Sequence, residues 1–158
     1  MKKQVLFLPL LFVACSSSSN NKNALENNNI SSQPVVVAPQ AYVEPYLDKV
    51  YFDFDKYNVK KSEMDAIRTQ IDYIKTNKQN VSKVVVEGHA DARGSVEYNL
   101  VLGQKRADSV MHQIKSGVKD KKVSYKTVSF GKSKLAKNGF SEEVHAANRR
   151  AVTLIEVK

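Results

Sequence analysis

Val84-Val85-Val86-Glu87 runs into Gly88, a short loop ends at Gly94, and a helical period then begins near Leu100. This strand, glycine-bounded loop and helix constrain the fold more than any other part of the chain. Three consecutive β-branched residues read as a buried strand, while Leu100, Ala107, Val110, Met111 and Ile114 keep the spacing of an amphipathic helix that Gly117 closes. A buried strand needs neighbours, and the flanking sequence supplies them. Val50 to Phe54 alternates with period two and reads as a first strand. Ser62 is placed to cap a helix carrying Met64, Ile67, Ile71 and Ile74. Val123 to Phe130 reads as a third strand ending at Gly131, Glu142 to Asn148 as a short helical turn, and Ala151 to Val157 as the last strand. The alternation predicts an α/β fold, specifically an α+β sandwich of order βαβαβ(α)β with one mixed sheet covered by helices.

Within the constraining unit, Asp91 falls just past a strand's carboxyl end and Arg106 falls on the following helix. That rim is where open α/β sheets usually bind ligands. An acid and a base held there can grip a zwitterion, the carboxylate taking an ammonium and the guanidinium taking a carboxylate by a two-pronged hydrogen bond. A structural ion pair between the two is the competing expectation. Asp53 and Asp55 bracket Phe54 at the end of the first strand, so Phe54 offers an apolar wall and Asp55 a further acceptor. Asn99 either caps the helix or donates and accepts at the same rim. Arg149 and Arg150 open the last strand, and one of them is expected to close a carboxylate inside the domain.

The first forty-odd residues do not belong to that sandwich. Lys2 and Lys3 precede an apolar run from Val5 to Val13, followed by Ala14 and the only cysteine, Cys15, the pattern of a secretory signal. The run is too short to span a bilayer. Residues 16 to 44 are rich in Ser, Asn, Gln and Pro and read as a tether, about 30 Å long on average and extendable to roughly 95 Å. Val35-Val36-Val37 is its one apolar patch, flanked by Pro34 and Pro39 as gatekeepers. The expected boundaries are 1–14 for the signal, 15–45 for the tether and 46–158 for the folded domain. The formal net charge is +9, and without Lys2 and Lys3 about +7 remains, a balance that suits an anionic partner. No interleaving of aromatic and basic residues along a strand points to nucleic acid.

Catalysis finds little support. His89, Asp91 and Ser95 lie within seven positions of one loop, where a triad cannot readily converge, and the G-x-S-x-G elbow is absent. His89 reads instead as a half-buried strand-end histidine bonded to backbone. His112 and His145 lack partners at metal spacing, so no metal site is expected. No cofactor is expected either.

Leu11-Phe12-Val13-Ala14-Cys15 resembles a bacterial lipobox, with Phe12 in place of the usual Leu. The resemblance implies that the Cys15 thiol is acylated, and Ser16, not Asp, follows it, which favours the outer membrane. The runs from Val50 to Asp55, Gly88 to Gly94, Asn99 to Ala107 and Asn148 to Val152 resemble the successive motifs of the OmpA-like carboxyl-terminal domain family. With the lipobox and tether, the chain resembles the peptidoglycan-associated lipoproteins of the Tol-Pal system within that family. The resemblance implies a non-enzymatic binder of the diaminopimelate-bearing stem of peptidoglycan. Carried over by motif, Asp91 meets the amine and Arg106 the carboxylate, Asp55 and Asn99 add polar contacts, and Phe54 and Leu102 are walls. It also implies a partner in TolB, and possible further Tol or OmpA-like partners, with a role in envelope integrity and constriction at division. Ala92 and Leu135 depart from the family's usual acidic residue and Pro. The alternatives from other classes are a lipidated wall adaptor outside the Tol system and a secreted basic hydrolase.

Overall fold

The computed structural model describes residues 42–43 and 49–158. The signal segment, Cys15 and the tether up to residue 41 lie outside the described residues. Five strands form one sheet: β1 (Tyr42–Val43), β2 (Val50–Tyr51), β3 (Val81–His89), β4 (Ser124–Gly131) and β5 (Arg150–Val157). Three helices accompany them: α1 (Met64–Thr76), α2 (Val96–Val118) and α3 (Glu142–Asn148). The strand order is β1-β5-β3-β4, with β2 also on β5, and the sheet is mixed as expected. β3 runs parallel to β4 and antiparallel to β5. The parallel pair requires a crossover, which α2 supplies. β1 and β2 share the outer side of β5, Tyr42 opposite Glu156 and Val50 opposite Ala151. The sheet therefore reaches back to Tyr42 and Val43, two residues that composition assigned to the tether.

Ile67 and Ile74 of α1, Val110 and Ile114 of α2, and Val84 and Val86 of β3 share one buried apolar cluster. Alternate residues of β3 thus meet the inner stripes of both helices, the result expected from periods of 2 and 3.6. No helix among the described residues is long and apolar enough to cross a membrane.

Four expectations need correction. The first strand stops at Tyr51, because the chain turns: Lys56 N–H donates to Asp53 O at 3.2 Å and Asp55 adopts a φ of 56°. Ser62 is not a cap, for it lies within a 3-10 turn at Lys61–Glu63 that leads into α1 without any side-chain cap. α2 begins at Val96, capped by the Ser95 hydroxyl, which accepts from Tyr98 N–H at 3.1 Å. The early turn hides from periodicity because Val96, Tyr98 and Leu100 all face water, Leu100 at 42 % exposure. Gly117 lies inside α2, and the left-handed cap is Lys119. Gly117 serves packing instead, since a Cβ there would sit 2.4 Å from Ile71 Cδ1.

β3 and α2 meet at two glycines. A Cβ on Gly88 would lie 1.8 Å from the Gly103 carbonyl oxygen, and one on Gly103 would lie 2.4 Å from Ser129 Oγ. Only hydrogen fits at Gly88. The crossing holds α2 against the end of β3, and Arg106, one turn beyond Gly103, is carried beneath the loop that follows β3.

Candidate functional site

A small cleft of about 90 Å³ opens at the carboxyl end of β3 and the amino end of α2. It is lined by Phe54 and Asp55 from the turn after β2, by Asp91 and Arg93 from the loop after β3, and by Tyr98, Asn99, Leu102 and Arg106 from α2. The six residues singled out as ligand contacts, Asp91, Arg106, Asp55, Asn99, Phe54 and Leu102, are therefore brought together. A wider, open groove of about 630 Å³ lies between Tyr57, Met64 and the Lys105 to His112 face of α2, and none of the six lines it.

Arg106 is fully buried, and its guanidinium is held by carbonyls. Nε donates to Lys56 O at 2.9 Å, Nη1 to His89 O at 2.9 Å and Nη2 to Asp53 O at 3.3 Å. Its Cζ lies 5.3 Å from the Phe52 ring. A guanidinium has five N–H donors, so three bonds leave donors over. No carboxylate of the described residues lies within ion-pair distance of it. Burial, together with repulsion from Arg149, lowers its pKa to about 10, against the opposing pull of Asp91 and Asp55.

Asp91 is also buried, yet well supplied with cations. Oδ1 accepts the Arg93 backbone N–H at 3.1 Å, while Oδ2 lies 2.6 Å from Arg93 Nη2 and 3.4 Å from Arg149 Nη1. Burial alone would raise the pKa of this carboxyl, but the hydrogen bonds from Arg93 and Arg149 overcome it and hold the group below its ordinary value. The structural pair between Asp91 and Arg106 does not form. Each has its own partners, and the two charges are free to act as separate poles.

Arg93 was missing from the expected site and is its most connected exposed residue. Its Cζ sits 4.3 Å above the Phe54 ring, and Nη1 reaches Glu142 Oε2 at 3.3 Å. The Asp91 hydrogen bond is the main reason that its pKa is raised. Of Arg149 and Arg150, one of which was expected to close a carboxylate, it is Arg149 that pairs with Asp91, and it lies 2.8 Å from Glu142 Oε1. Its Nε donates to Phe52 O at 3.0 Å. Tyr98, also missed, donates its hydroxyl to Asp55 Oδ1. Asn99 is not the helix cap. Its Nδ2 donates to Arg93 O at 2.6 Å and Ser95 O at 2.9 Å, fixing the loop onto α2. Phe54 is 58 % exposed, an apolar wall turned to solvent.

The three residues that invited a hydrolase reading do not converge. Asp91 is held by arginines, Ser95 caps α2, and the His89 ring is stacked on Phe130 with centroids 5.5 Å apart. His89 is also more buried than expected, at 1 % exposure, and neither ring nitrogen has a hydrogen-bond partner; Glu87 Oε2 is 3.6 Å from Nε2. Among the described residues no cluster of His, Cys, Asp and Glu could hold a metal ion.

The rim gathers acids and arginines at one end of the sheet, and comparison with known proteins shows which family has this domain. The OmpA family matches residues 51–149. The chain is 38 % identical over 143 residues to a peptidoglycan-associated lipoprotein of Pasteurella multocida, covering 90 % of this chain and 88 % of that one. It is 37 % identical over 140 residues to the peptidoglycan-associated lipoprotein of Haemophilus influenzae, covering 88 % and 86 %. The crystal structure of the peptidoglycan-associated lipoprotein from Burkholderia pseudomallei superposes with a TM-score of 0.59 at 37 % identity, covering 70 % of this chain and 89 % of that one. The chain belongs to the OmpA family and, within it, to the peptidoglycan-associated lipoproteins.

The buried histidine gives a pH test. Burial, and then the charge of Arg150, lower the His89 pKa to about 4. Below its ordinary value of 6.5 the unfolded chain takes up a proton that the native state refuses, so stability falls as pH drops from 6.5 towards 4. The full loss is at most about 3 kcal/mol. Asp91, held low, contributes its own loss only below the ordinary 3.8, so the two limbs separate. Urea unfolding at pH 7 and pH 4.5 should show this loss in the parent, and His89→Phe should flatten it; equal slopes in both proteins would refute the assignment.

Proposed function

We propose that this chain is a lipid-anchored protein of the outer membrane whose periplasmic domain binds the peptide stem of peptidoglycan non-covalently, through the free end of diaminopimelate. The observation that carries the reading is a pair of buried, opposite charges in one cleft: an arginine with no carboxylate partner among the described residues, and an aspartate whose partners include an exposed, displaceable arginine. Its relatives are named peptidoglycan-associated lipoproteins, which supports peptidoglycan as the polymer bound.

A free diaminopimelate end carries an ammonium and a carboxylate on one carbon. The carboxylate takes the remaining N–H donors of Arg106 by charge-assisted hydrogen bonds. The ammonium replaces Arg93 Nη2 on Asp91 Oδ2, and Arg93, whose side chain is 40 % exposed, keeps Glu142 as a partner. Phe54 and Leu102 wall the aliphatic stem between them. Asp55 and the Asn99 side-chain carbonyl add acceptors. Nothing in this sequence of contacts transfers a group or a proton; the reading is of a binder, not an enzyme.

Two charge-assisted contacts of about 1.5 to 3 kcal/mol each, less the cost of ordering a peptide, give a modest monovalent affinity. Acylation of Cys15 after removal of residues 1–14, with the residues before Tyr42 as tether, raises the effective concentration of the domain at a polymeric wall. The chain thereby links outer membrane to wall reversibly, as part of the Tol-Pal system with TolB as partner, supporting envelope integrity and constriction at division.

Retention on purified sacculi tests the cleft. Arg106→Ala is a poor probe, because it orphans three carbonyls and threatens the fold. Arg106→Lys keeps the charge while losing the fork, and Asp91→Asn keeps the shape. Each should lower retention at least about tenfold while a cooperative thermal transition persists. Parental retention in both variants overturns the site. For the anchor, Cys15→Ser should move the protein from the membrane to the soluble periplasmic fraction, and a variant that stays in the membrane contradicts acylation.

A further inference from the structure

The pole of the domain opposite the cleft has a different electrical character. The cleft balances Asp55, Asp91 and Glu142 against Arg93, Arg106 and Arg149. At the other end of the sheet lie the amino ends of β3 and β4, the carboxyl ends of α1, α2 and β5, and β1. Lys75 and Lys115 occupy the last turns of α1 and α2, Lys119 caps α2, Lys78, Lys121 and Lys122 lie in the connecting turns, and Lys158 follows β5. All seven are exposed, and among the described residues none is in an ion pair. The same segments carry three acidic residues, Asp72, Asp120 and Glu156; Glu156 is paired with Lys83 at 3.3 Å, and Asp120 Oδ1 is already engaged by Lys122 N–H at 2.8 Å.

Helix dipoles account for part of this. Lysines favour helix carboxyl ends, which explains Lys75, Lys115 and Lys119. They do not explain Lys78, Lys121, Lys122 or Lys158, which lie beyond the last turns. An unneutralised cluster of this size repels itself and is retained at a cost unless an anion meets it.

The chain's own connectivity says which anion. Tyr42 pairs with Glu156, near the end of β5, so everything before residue 42 joins the domain at the lysine pole and not at the cleft. Cys15 is 27 residues upstream of Tyr42. We infer that the lysine pole is a docking surface for anionic lipid headgroups of the membrane in which Cys15 is anchored, an inference that rests on the anchor reading above. Basic clusters beside a lipid anchor bind anionic surfaces by this chemistry, over about a Debye length. Docked there, the domain turns its cleft away from the membrane, towards the wall. Undocked, the tether releases it to reach farther.

The test uses the processed chain without acyl groups, residues 16–158, so that anchoring and docking are measured apart. It should sediment with vesicles of phosphatidylcholine containing about 30 % phosphatidylglycerol, at least about fivefold more than with phosphatidylcholine alone, and raised salt should release it. Combined Lys78→Gln, Lys119→Gln, Lys121→Gln and Lys122→Gln should abolish the difference while leaving retention on sacculi at the parental level. Asp91→Asn should do the reverse, losing sacculi and keeping vesicles, so failure of the wall reading is seen separately. Equal sedimentation with neutral vesicles overturns the inference, and so does vesicle binding unchanged in the quadruple variant. A quadruple variant that loses sacculi also overturns it, since the pole would then serve the wall polymer. If that variant does not fold, the neutral-vesicle and salt arms on the parent chain decide alone.

Discussion

Arg106 is the residue on which both fold and site depend. A fully buried guanidinium carries a large desolvation cost, and here it is met by three backbone carbonyls, two from the turn after β2 and one from the end of β3. Those bonds bind the turn after β2, the end of β3 and α2 into one corner. Because the partners are carbonyls, they satisfy hydrogen bonds without cancelling the charge. The corner is rigid, yet it stays electrostatically open to an anion.

The arrangement around Asp91 complements this. Its carboxylate stays ionised through Arg93 and Arg149, but the two partners differ in character. Arg149 is 8 % exposed and bound to the Phe52 carbonyl, so it belongs to the scaffold. Arg93 is on the surface, stacked on an exposed ring, and its guanidinium can turn to solvent while Arg149 stays on Asp91. On the proposed reading a ligand ammonium exchanges one cation for another at Asp91 and does not uncover a buried charge. Such an exchange would keep the proposed contact between membrane and wall reversible.

Much of this was legible in the sequence because its signals were local. The β-branched run at Val84 to Val86 marked the central strand, the stripe from Ala107 to Ile114 marked α2, and Glu142 to Asn148 marked α3 with the bounds observed. The family motifs brought six residues to one cleft that spacing alone could not. What escaped were features set by distant contacts. Arg93 joins Glu142 across 49 residues, and Tyr98 joins Asp55 across 43. The first turn of α2 carries its apolar side chains outwards, so periodicity dated the helix four residues late. Gly117 reads as a terminator in sequence and proves to be a seat for Ile71. His89 reads in sequence as a half-buried strand end because nothing nearby tells that Phe130 covers it.

The central claim is that Arg106 and Asp91 hold the two ends of one amino-acid centre. Titration calorimetry with a stem tripeptide ending in meso-diaminopimelate, against the same peptide ending in lysine, measures this most directly. The lysine peptide keeps the aliphatic stem and an ammonium but lacks the second carboxylate. The account predicts measurable binding of the diaminopimelate peptide, and at least about a tenfold loss with the lysine peptide. Equal affinity for the two would contradict it, because the buried guanidinium would then have no part in recognition.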